Sequence, residues 1–120
     1  MADHIQKGKI GEEEAVKFLI SKGYQVLERN WRYGHKEVDI IAADKRMTVF
    51  VEVKSRRSIG EERYDELINK TKQKSLLSAS NAYMIRNKPG GPVRFDIIFV
   101  IGEGDNRSIE HIEDAFNSWG

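Results

Sequence analysis

Hydrophobic and polar residues alternate in two successive stretches of the chain, residues 36–43 and 47–56, which the polar turn 44–46 separates. Alternation with a period of two predicts β-strands, and the short turn predicts that they pair as a hairpin. Strict alternation would place Glu37, Asp39 and Ile41 on one face of the first strand. The second strand is apolar on both faces apart from Glu52 and Lys54, which is typical of a buried, central strand.

The same patterning predicts two helices and three further strands. The helices are expected at residues 7–22, ending at Gly23, and at residues 65–87, with an apolar stripe of Ile68, Leu76, Ala79 and Tyr83. The strands are expected at 24–29, 93–101 and 108–112, with a polar connection at 30–35, a loop at 58–62 and a last turn at 113–119. A strand–helix–strand crossover implies a parallel pair. The expected fold is therefore a three-layer α/β/α sandwich with a mixed sheet, in the order α-β-β-β-α-β-β, formed by residues 1–120 as one domain.

Composition excludes several classes of protein. The chain has 120 residues and no cysteine, so disulfides and thiolate metal sites are excluded. It has neither an apolar run long enough to span a membrane nor an N-terminal signal peptide, so a cytoplasmic protein is expected. The net charge of +1 hides an uneven distribution, because residues 54–94 carry 10 basic and 4 acidic groups. A basic segment that begins at Lys54 suits a polyanionic partner.

Charged residues on the hairpin are the candidates for chemistry. Pairing of the two strands would bring Asp39 close to Glu52, with Lys54 beside them. Two desolvated carboxylates repel each other unless a cation neutralises them, and Mg²⁺ or Mn²⁺ prefers such oxygen ligands. The alternative is a solvated hairpin face with ordinary cross-strand ion pairs.

Each predicted helix adds one charged residue on its apolar side. Glu12 lies on the same helical stripe as Ala15 and Leu19 and could therefore lean inward. Its alternative role is that of an acid in the first turn, stabilised by the helix dipole, and spacing alone favours this alternative. Lys72 falls in the middle of the stripe of the second helix. It either extends to the edge of the apolar surface or faces an anion.

Several motifs along the chain resemble one known family. They are G-E-E-E-A-V-K-F-L, G-Y-Q-V-L-E-R-N-W-R, E-V-D-I-I-A, F-V-E-V-K-S-R and R-F-D-I-I, in that order. Together with the spacing D-x12-E-x-K, they resemble the restriction-endonuclease-like PD-(D/E)xK nucleases, and within them the YraN-like family of small bacterial predicted endonucleases. The resemblance covers nearly the whole chain.

The resemblance implies a role for each matching residue. Asp39 and Glu52 would be metal ligands together with the backbone carbonyl of Val53, and Lys54 would be the catalytic lysine. Glu12 would be a supporting carboxylate and metal ligand, and Glu37 would tune the site or assist a second metal. The residues that would contact nucleic acid or order the site are Arg56, Lys72, Gln73 and Arg94.

The function implied is that of a Mg²⁺- or Mn²⁺-dependent endonuclease that hydrolyses phosphodiester bonds of DNA, including branched or structured DNA. Small archaeal junction resolvases share the fold and act as dimers, so a homodimer is expected by analogy. The alternative is a catalytically silent domain with a nuclease fold that binds nucleic acid or a protein partner. The complete set of Asp39, Glu52 and Lys54 favours the enzyme.

Overall fold

The computed structural model describes residues 2–57 and 69–116, with side chains from residue 9. The helices are α1 (Ala2–Ser21) and α2 (Lys70–Asn87). The strands are β1 (Gln25–Tyr33), β2 (Lys36–Asp44), β3 (Met47–Arg56), β4 (Val93–Ile101) and β5 (Ser108–Phe116). The predicted element order is therefore confirmed. The loop predicted at 58–62 and the first four residues of the helix predicted at 65–87 lie outside the described residues.

The five strands form one mixed sheet in the order β1-β2-β3-β4-β5. Neighbouring strands are antiparallel except β3 and β4, which are parallel. This places the apolar strand β3 at the centre, as predicted. The parallel pair agrees with the crossover through α2, because parallel neighbours cannot be joined by a tight turn.

Each face of the sheet carries one helix. Leu76, Ala79 and Tyr83 of α2 pack on one face together with the rings of Phe50, Phe95 and Phe99. On the other face, Ala15 and Leu19 of α1 pack on a second cluster, whose strand residues are Ile40, Ala42, Val49, Val51, Ile98 and Val100. The α/β/α sandwich is confirmed, and the two cores lie on opposite sides of β3.

Side-chain caps and turns fix the ends of the helices. Gly23 follows α1 with φ of 94°, and the Tyr24 N–H returns to the Leu19 carbonyl at 3.0 Å. Asn69 caps the start of α2, since its Oδ1 accepts from the Lys72 N–H at 2.9 Å. Neither described helix is both long and apolar enough to cross a membrane.

Two strand boundaries were predicted wrongly. The structure extends β1 to Tyr33 through residues expected to form a connection, because β1 is an edge strand whose polar side chains face solvent. At the other edge, residues 113–116 continue β5 and Phe116 pairs with Phe95, so the last turn expected at 113–119 does not form over these residues. Residues 117–119 of that turn lie outside the described part of the chain.

The strict alternation expected for β2 is also wrong. Val38 and Ile41 pack in the cluster beneath α2, whereas Ile40 packs beneath α1. The alternation therefore breaks between Val38 and Ile41, and Asp39 lies at the break. This irregularity determines the shape of the candidate site.

Candidate metal centre

Strands β2 and β3 separate at the candidate site. Their last paired residues are Ile40 and Val51, whereas β3 continues to pair with β4 as far as Arg56. Beyond the last pair, the Val53 N–H donates to Oδ2 of Asp39 at 2.8 Å. In a regular ladder, a backbone carbonyl of β2 would accept from the Val53 N–H. Here the side-chain carboxylate of Asp39 takes the place of that carbonyl. The separation leaves an opening at the centre of the sheet.

Three carboxylates meet on the α1 side of this opening. Ligand oxygens of Glu12, Glu37 and Asp39 lie within 4.8 Å of one another, and all three residues are half-buried. We call these residues the carboxylate cluster. Adjacent oxygens of an octahedral Mg²⁺ lie about 2.9 Å apart and opposite ones about 4.2 Å apart, so the three carboxylates are near enough to hold that ion after their side chains move closer together.

Asn30 joins two members of the cluster, and the sequence patterns did not reveal it. With its nitrogen directed toward the acids, its amide donates to Glu12 Oε1 at 2.8 Å and to Glu37 Oε1 at 2.9 Å. Its backbone has φ of 51°, in the left-handed region that asparagine tolerates better than most residues. An asparagine within a strand is the signal that could have identified this position.

The electrostatics of the cluster favour a positive charge. Burial, together with the nearby charges of Glu52 and Glu12, raises the pKa of Asp39 to about 7. The Val53 N–H and Lys72 act in the opposite direction and only partly offset this increase. Burial also raises the pKa of Glu12, and the charge of Glu37 adds to this effect, against the Asn30 hydrogen bond. A bound divalent cation would reverse these shifts, because it favours the ionised carboxylates.

Glu52 lies on the α2 side of the opening, between two lysines. Its carboxylate is 3.3 Å from Lys54 Nζ and 3.6 Å from Lys72 Nζ, and its side chain is only 6% exposed. Glu52 Oε2 is buried and has no hydrogen-bond partner among the described residues. The ammonium of Lys72, at 3.6 Å from this oxygen, is too far away for a hydrogen bond, and a cation in the opening would satisfy the oxygen more fully. The residues present therefore fit an oxygen-liganded divalent cation.

The structure brings together most of the site residues predicted from the sequence. Lys72 faces an anion, Glu52, which is one of its two predicted fates. Val53 borders the cluster through its N–H, and the role predicted for its carbonyl stays a prediction. Gln73 follows Lys72 on α2, where it is half-buried.

Arg56 and Arg94 lie apart from the carboxylate cluster. Arg56 Nη1 donates to the Ser55 carbonyl at 2.8 Å, near the end of β3. Arg94 is near Asp44, the last residue of β2 and five positions beyond Asp39, and its guanidinium binds both oxygens of Asp96 at 2.8 and 2.9 Å. The structure therefore places Arg94 in an ion pair remote from the opening.

The pair of Arg94 and Asp96 belongs to a buried polar network beneath the end of α1. His111 Nε2 lies 2.6 Å from Asp96 Oδ2, and the Asp114 N–H donates to Oδ1 of the same carboxylate at 3.0 Å. Arg94 also donates to the Tyr24 hydroxyl at 2.6 Å. Burial alone would raise the pKa of Asp96, but the hydrogen bonds from His111, Arg94 and the Asp114 backbone hold it below its usual value.

Comparison with known proteins places the chain among bacterial relatives of similar length. It is 46% identical over 116 residues to a UPF0102 protein of Bacteroides thetaiotaomicron, covering 97% of this chain and 96% of the relative. A UPF0102 protein of Flavobacterium psychrophilum is 44% identical over 116 residues, with 97% and 98% covered. One of Thermodesulfovibrio yellowstonii is 41% identical over 112 residues, with 93% and 96% covered. Residues 11–100, which include the whole carboxylate cluster together with Glu52, Lys54 and Lys72, match the profile described as "Uncharacterised protein family UPF0102". The chain therefore belongs to the UPF0102 family.

Proposed function

We propose that this protein is a Mg²⁺- or Mn²⁺-dependent endonuclease of the restriction-endonuclease-like PD-(D/E)xK type, similar to the YraN-like proteins, and that it hydrolyses phosphodiester bonds of DNA. The observation that carries the proposal is the opening between β2 and β3. It has a carboxylate cluster on one side and the pair of Glu52 and Lys54, 3.3 Å apart, on the other. The proposed substrates include branched and structured DNA.

Each residue has a distinct part in the proposed reaction. Asp39, Glu12 and Glu37 would hold the cation, together with the Glu52 oxygen that has no hydrogen-bond partner among the described residues. When bound, a divalent cation supplies water of lowered pKa and neutralises charge on a phosphoryl oxygen. Lys54, whose side chain is 21% exposed, reaches the opening and offers a positive charge to the developing oxyanion. Lys72 offers a second positive charge from α2.

Asn30 and the Val53 N–H act as positioning groups. Asn30 restrains Glu12 relative to Glu37 through two hydrogen bonds. The Val53 N–H fixes one oxygen of Asp39 and leaves the other oxygen available to a ligand. Such outer hydrogen bonds orient the ligating carboxylates before the cation arrives.

A cleavage assay tests the proposal. The purified protein is incubated with labelled duplex, single-stranded, flapped and four-way-junction DNA, and with RNA, in Mg²⁺, Mn²⁺ or EDTA. We expect metal-dependent cleavage of DNA that disappears in a Glu52→Ala, Lys54→Ala double variant. The same preparation of a Lys74→Ala variant, which changes an exposed lysine of α2, is the control for contaminating nucleases.

Metal binding gives a second, independent readout. Calorimetry with Mn²⁺ is expected to show binding that Glu12→Gln weakens, whereas Glu13→Gln leaves it unchanged, because Glu13 instead pairs with Arg29 at 3.0 Å. Absence of both cleavage and Mn²⁺ binding would refute the proposal. Retained nucleic-acid binding would then favour a catalytically silent binding domain.

A further inference from the structure

Two aromatic rings lie side by side on the edge strand β1, on the side of the sheet that α2 covers. The rings of Trp31 and Tyr33 are parallel to within 4°, and their centroids are 6.4 Å apart. Residues two apart in a strand share a face, and Tyr83 and Arg86 of α2 contact these rings from that side. We call Trp31 and Tyr33 the aromatic pair.

Packing accounts for only one member of the aromatic pair. Trp31 packs against the core beneath α2, and its ring meets that of Tyr83 edge to face at 5.3 Å. Tyr33 is not among the residues of that core, and it is 38% exposed. An exposed ring aligned with a fixed one is a rigid apolar surface, which loses little conformational entropy when a flat ligand binds.

The faces of the Tyr33 ring are largely uncovered. Stacked aromatic rings in contact lie about 3.4 Å apart, as successive bases do in DNA. Parallel rings whose centroids are 6.4 Å apart are therefore displaced sideways by about 5 Å or separated by a gap, and in either arrangement Trp31 covers little of Tyr33. The Arg86 guanidinium, at 5.4 Å from the ring centroid, belongs to an exposed side chain, so it can stay beside a ligand.

Two cations flank the aromatic pair. Arg86 lies over Tyr33, whereas Lys36 extends toward α2 and donates to Ser78 Oγ at 2.9 Å. Neither cation has a carboxylate partner among the side chains that the structure describes. An ammonium has three donors, so Lys36 keeps two for another acceptor. A flat apolar surface bordered by cations suits a nucleotide, because its base is aromatic and its phosphate is an anion.

The aromatic pair lies beside the opening between β2 and β3. Trp31 pairs with Val38, the neighbour of Asp39, and Tyr33 pairs with Lys36. The strand spacing and the rise per residue place the backbone of Tyr33 about 11 Å from that of Asp39. Lys36 belongs to β2 and therefore lies between Tyr33 and the opening. A nucleic-acid strand at the carboxylate cluster can thus reach the aromatic pair with a nearby nucleotide.

We infer that Tyr33, aligned by Trp31, stacks on an unpaired base of the nucleic-acid strand held at the opening, and that Lys36 and Arg86 bind the phosphates beside that base. The inference rests on the proposed function and narrows its substrate class. Bases inside a duplex have both faces covered by their neighbours, so only an unpaired or terminal base can stack on a protein ring. The substrate is therefore a flap, a branch point or a single strand rather than an intact duplex.

Binding to strands with and without bases tests this inference. Fluorescence anisotropy, with Ca²⁺ present to occupy oxygen-ligand sites, measures the affinity for a labelled single strand of DNA and for a strand of the same length made only of abasic sites. The wild type is expected to bind the base-bearing strand about tenfold more tightly, and Tyr33→Ala should bind both strands equally. Tyr33→Phe should keep the preference, because it keeps the ring. The control is Ile20→Ala, which removes exposed apolar surface from α1 and should also keep it.

Salt dependence tests the two cations separately. A Lys36→Gln, Arg86→Gln double variant should bind both strands more weakly, and the slope of log affinity against log salt should fall by about 1 to 1.5. The control is a Lys45→Gln, Arg46→Gln double variant, which removes the same charge from the exposed turn at the start of β3. Equal slopes in the two double variants would overturn the role of Lys36 and Arg86.

Several outcomes would overturn the stacking of a base on Tyr33. They are absence of DNA binding by the wild type, equal affinity of the wild type for the two strands, a loss in Tyr33→Phe as large as in Tyr33→Ala, and an equal loss in Ile20→Ala. Urea denaturation of each variant is the control for folding, and we expect Tyr33→Ala to fold because the ring lies outside the core.

The test separates the two proposals because binding is measured without turnover. A protein that cleaves DNA but has no preference for bases would refute the stacking alone. A preference that depends on Tyr33, in a protein that cleaves nothing, would support the stacking and count against the nuclease.

Discussion

Replacement of Asp39 by asparagine should stabilise the metal-free protein at alkaline pH. In the folded state the Asp39 carboxyl has a pKa of about 7, against an ordinary value of 3.8. Between these values the folded protein binds a proton that the unfolded chain does not, so the free energy of unfolding falls as the pH rises. Asp39→Asn removes this loss, and its amide oxygen can still accept from the Val53 N–H.

The size of the effect follows from the pKa. Between about pH 5 and pH 7 the stability of the wild-type protein falls by about 1.36 kcal/mol per pH unit at most, or ~2.7 kcal/mol. Asp39 is half-buried and next to other acids, and structural relaxation reduces the cost of its charge. We therefore expect the variant to gain about 1 to 2 kcal/mol over the wild type between pH 5 and pH 8.

Urea denaturation in EDTA at the two pH values measures this gain. Asp105→Asn, which changes an exposed acid in the 3₁₀ turn Gly104–Asn106, is the matched control. In excess Mn²⁺ at pH 8 the order should reverse, because only the wild type gains stability from binding. The reasoning is refuted if the difference between Asp39→Asn and the wild type is the same at both pH values.

Three further variants test other parts of the structure. Gly11→Ala should lower the free energy of unfolding by about 1 kcal/mol, because the clash of the new methyl group with Ser55 exceeds the gain in helix propensity. Adding Ser55→Ala to the same chain should restore the stability measured by urea denaturation. A Gly11→Ala protein more stable than the wild type would contradict this prediction. Asp96→Asn should cost about 3 kcal/mol at neutral pH, because it breaks a buried ion pair. Because the pKa of Asp96 is held low, the stability that its carboxylate contributes is present above about pH 4 and is lost as the pH falls. Thermal denaturation should therefore show a difference in Tm between Asp96→Asn and the wild type that shrinks in acid. A difference in Tm that stays constant with pH would argue against this role. The Glu52→Ala variant should fold with an unchanged or higher Tm in EDTA, because the substitution removes the charge that repels Asp39. The variant should also lose Mn²⁺ binding. A large fall in Tm would count against the site.

The sequence determined the elements and the residues that face the centre of the sheet. The apolar run around Glu52 predicted a central strand because burial on both faces leaves no place for polar alternation, and β3 is central. The position of Lys72 within an apolar helical stripe predicted a lysine that could face an anion, and it lies 3.6 Å from Glu52. These features depend on residues close together in the chain.

Two features of the carboxylate cluster came only from the structure. Alternation predicted a regular hairpin, and a local pattern cannot show where two paired strands separate. Pairing ends at Ile40 and Val51, so Asp39 turns toward the Val53 N–H instead of facing Glu52 across a regular ladder. Asn30 was missed because its role depends on a left-handed backbone and on two acids from other elements.

The fate of each arginine was likewise decided by tertiary structure. Arg94 carries the same charge as Arg56, and the resemblance implied for both that they contact nucleic acid or order the site. In the fold, Arg94 pairs with the buried carboxylate of Asp96, which His111 also binds from β5. Arg56 instead donates to the carbonyl of Ser55, its neighbour in β3. Periodicity in the sequence therefore determined which residues are buried and in which elements they lie. The register of the strands determined which charged side chains meet. That register depends on contacts between residues far apart in the chain, so a local pattern cannot show it.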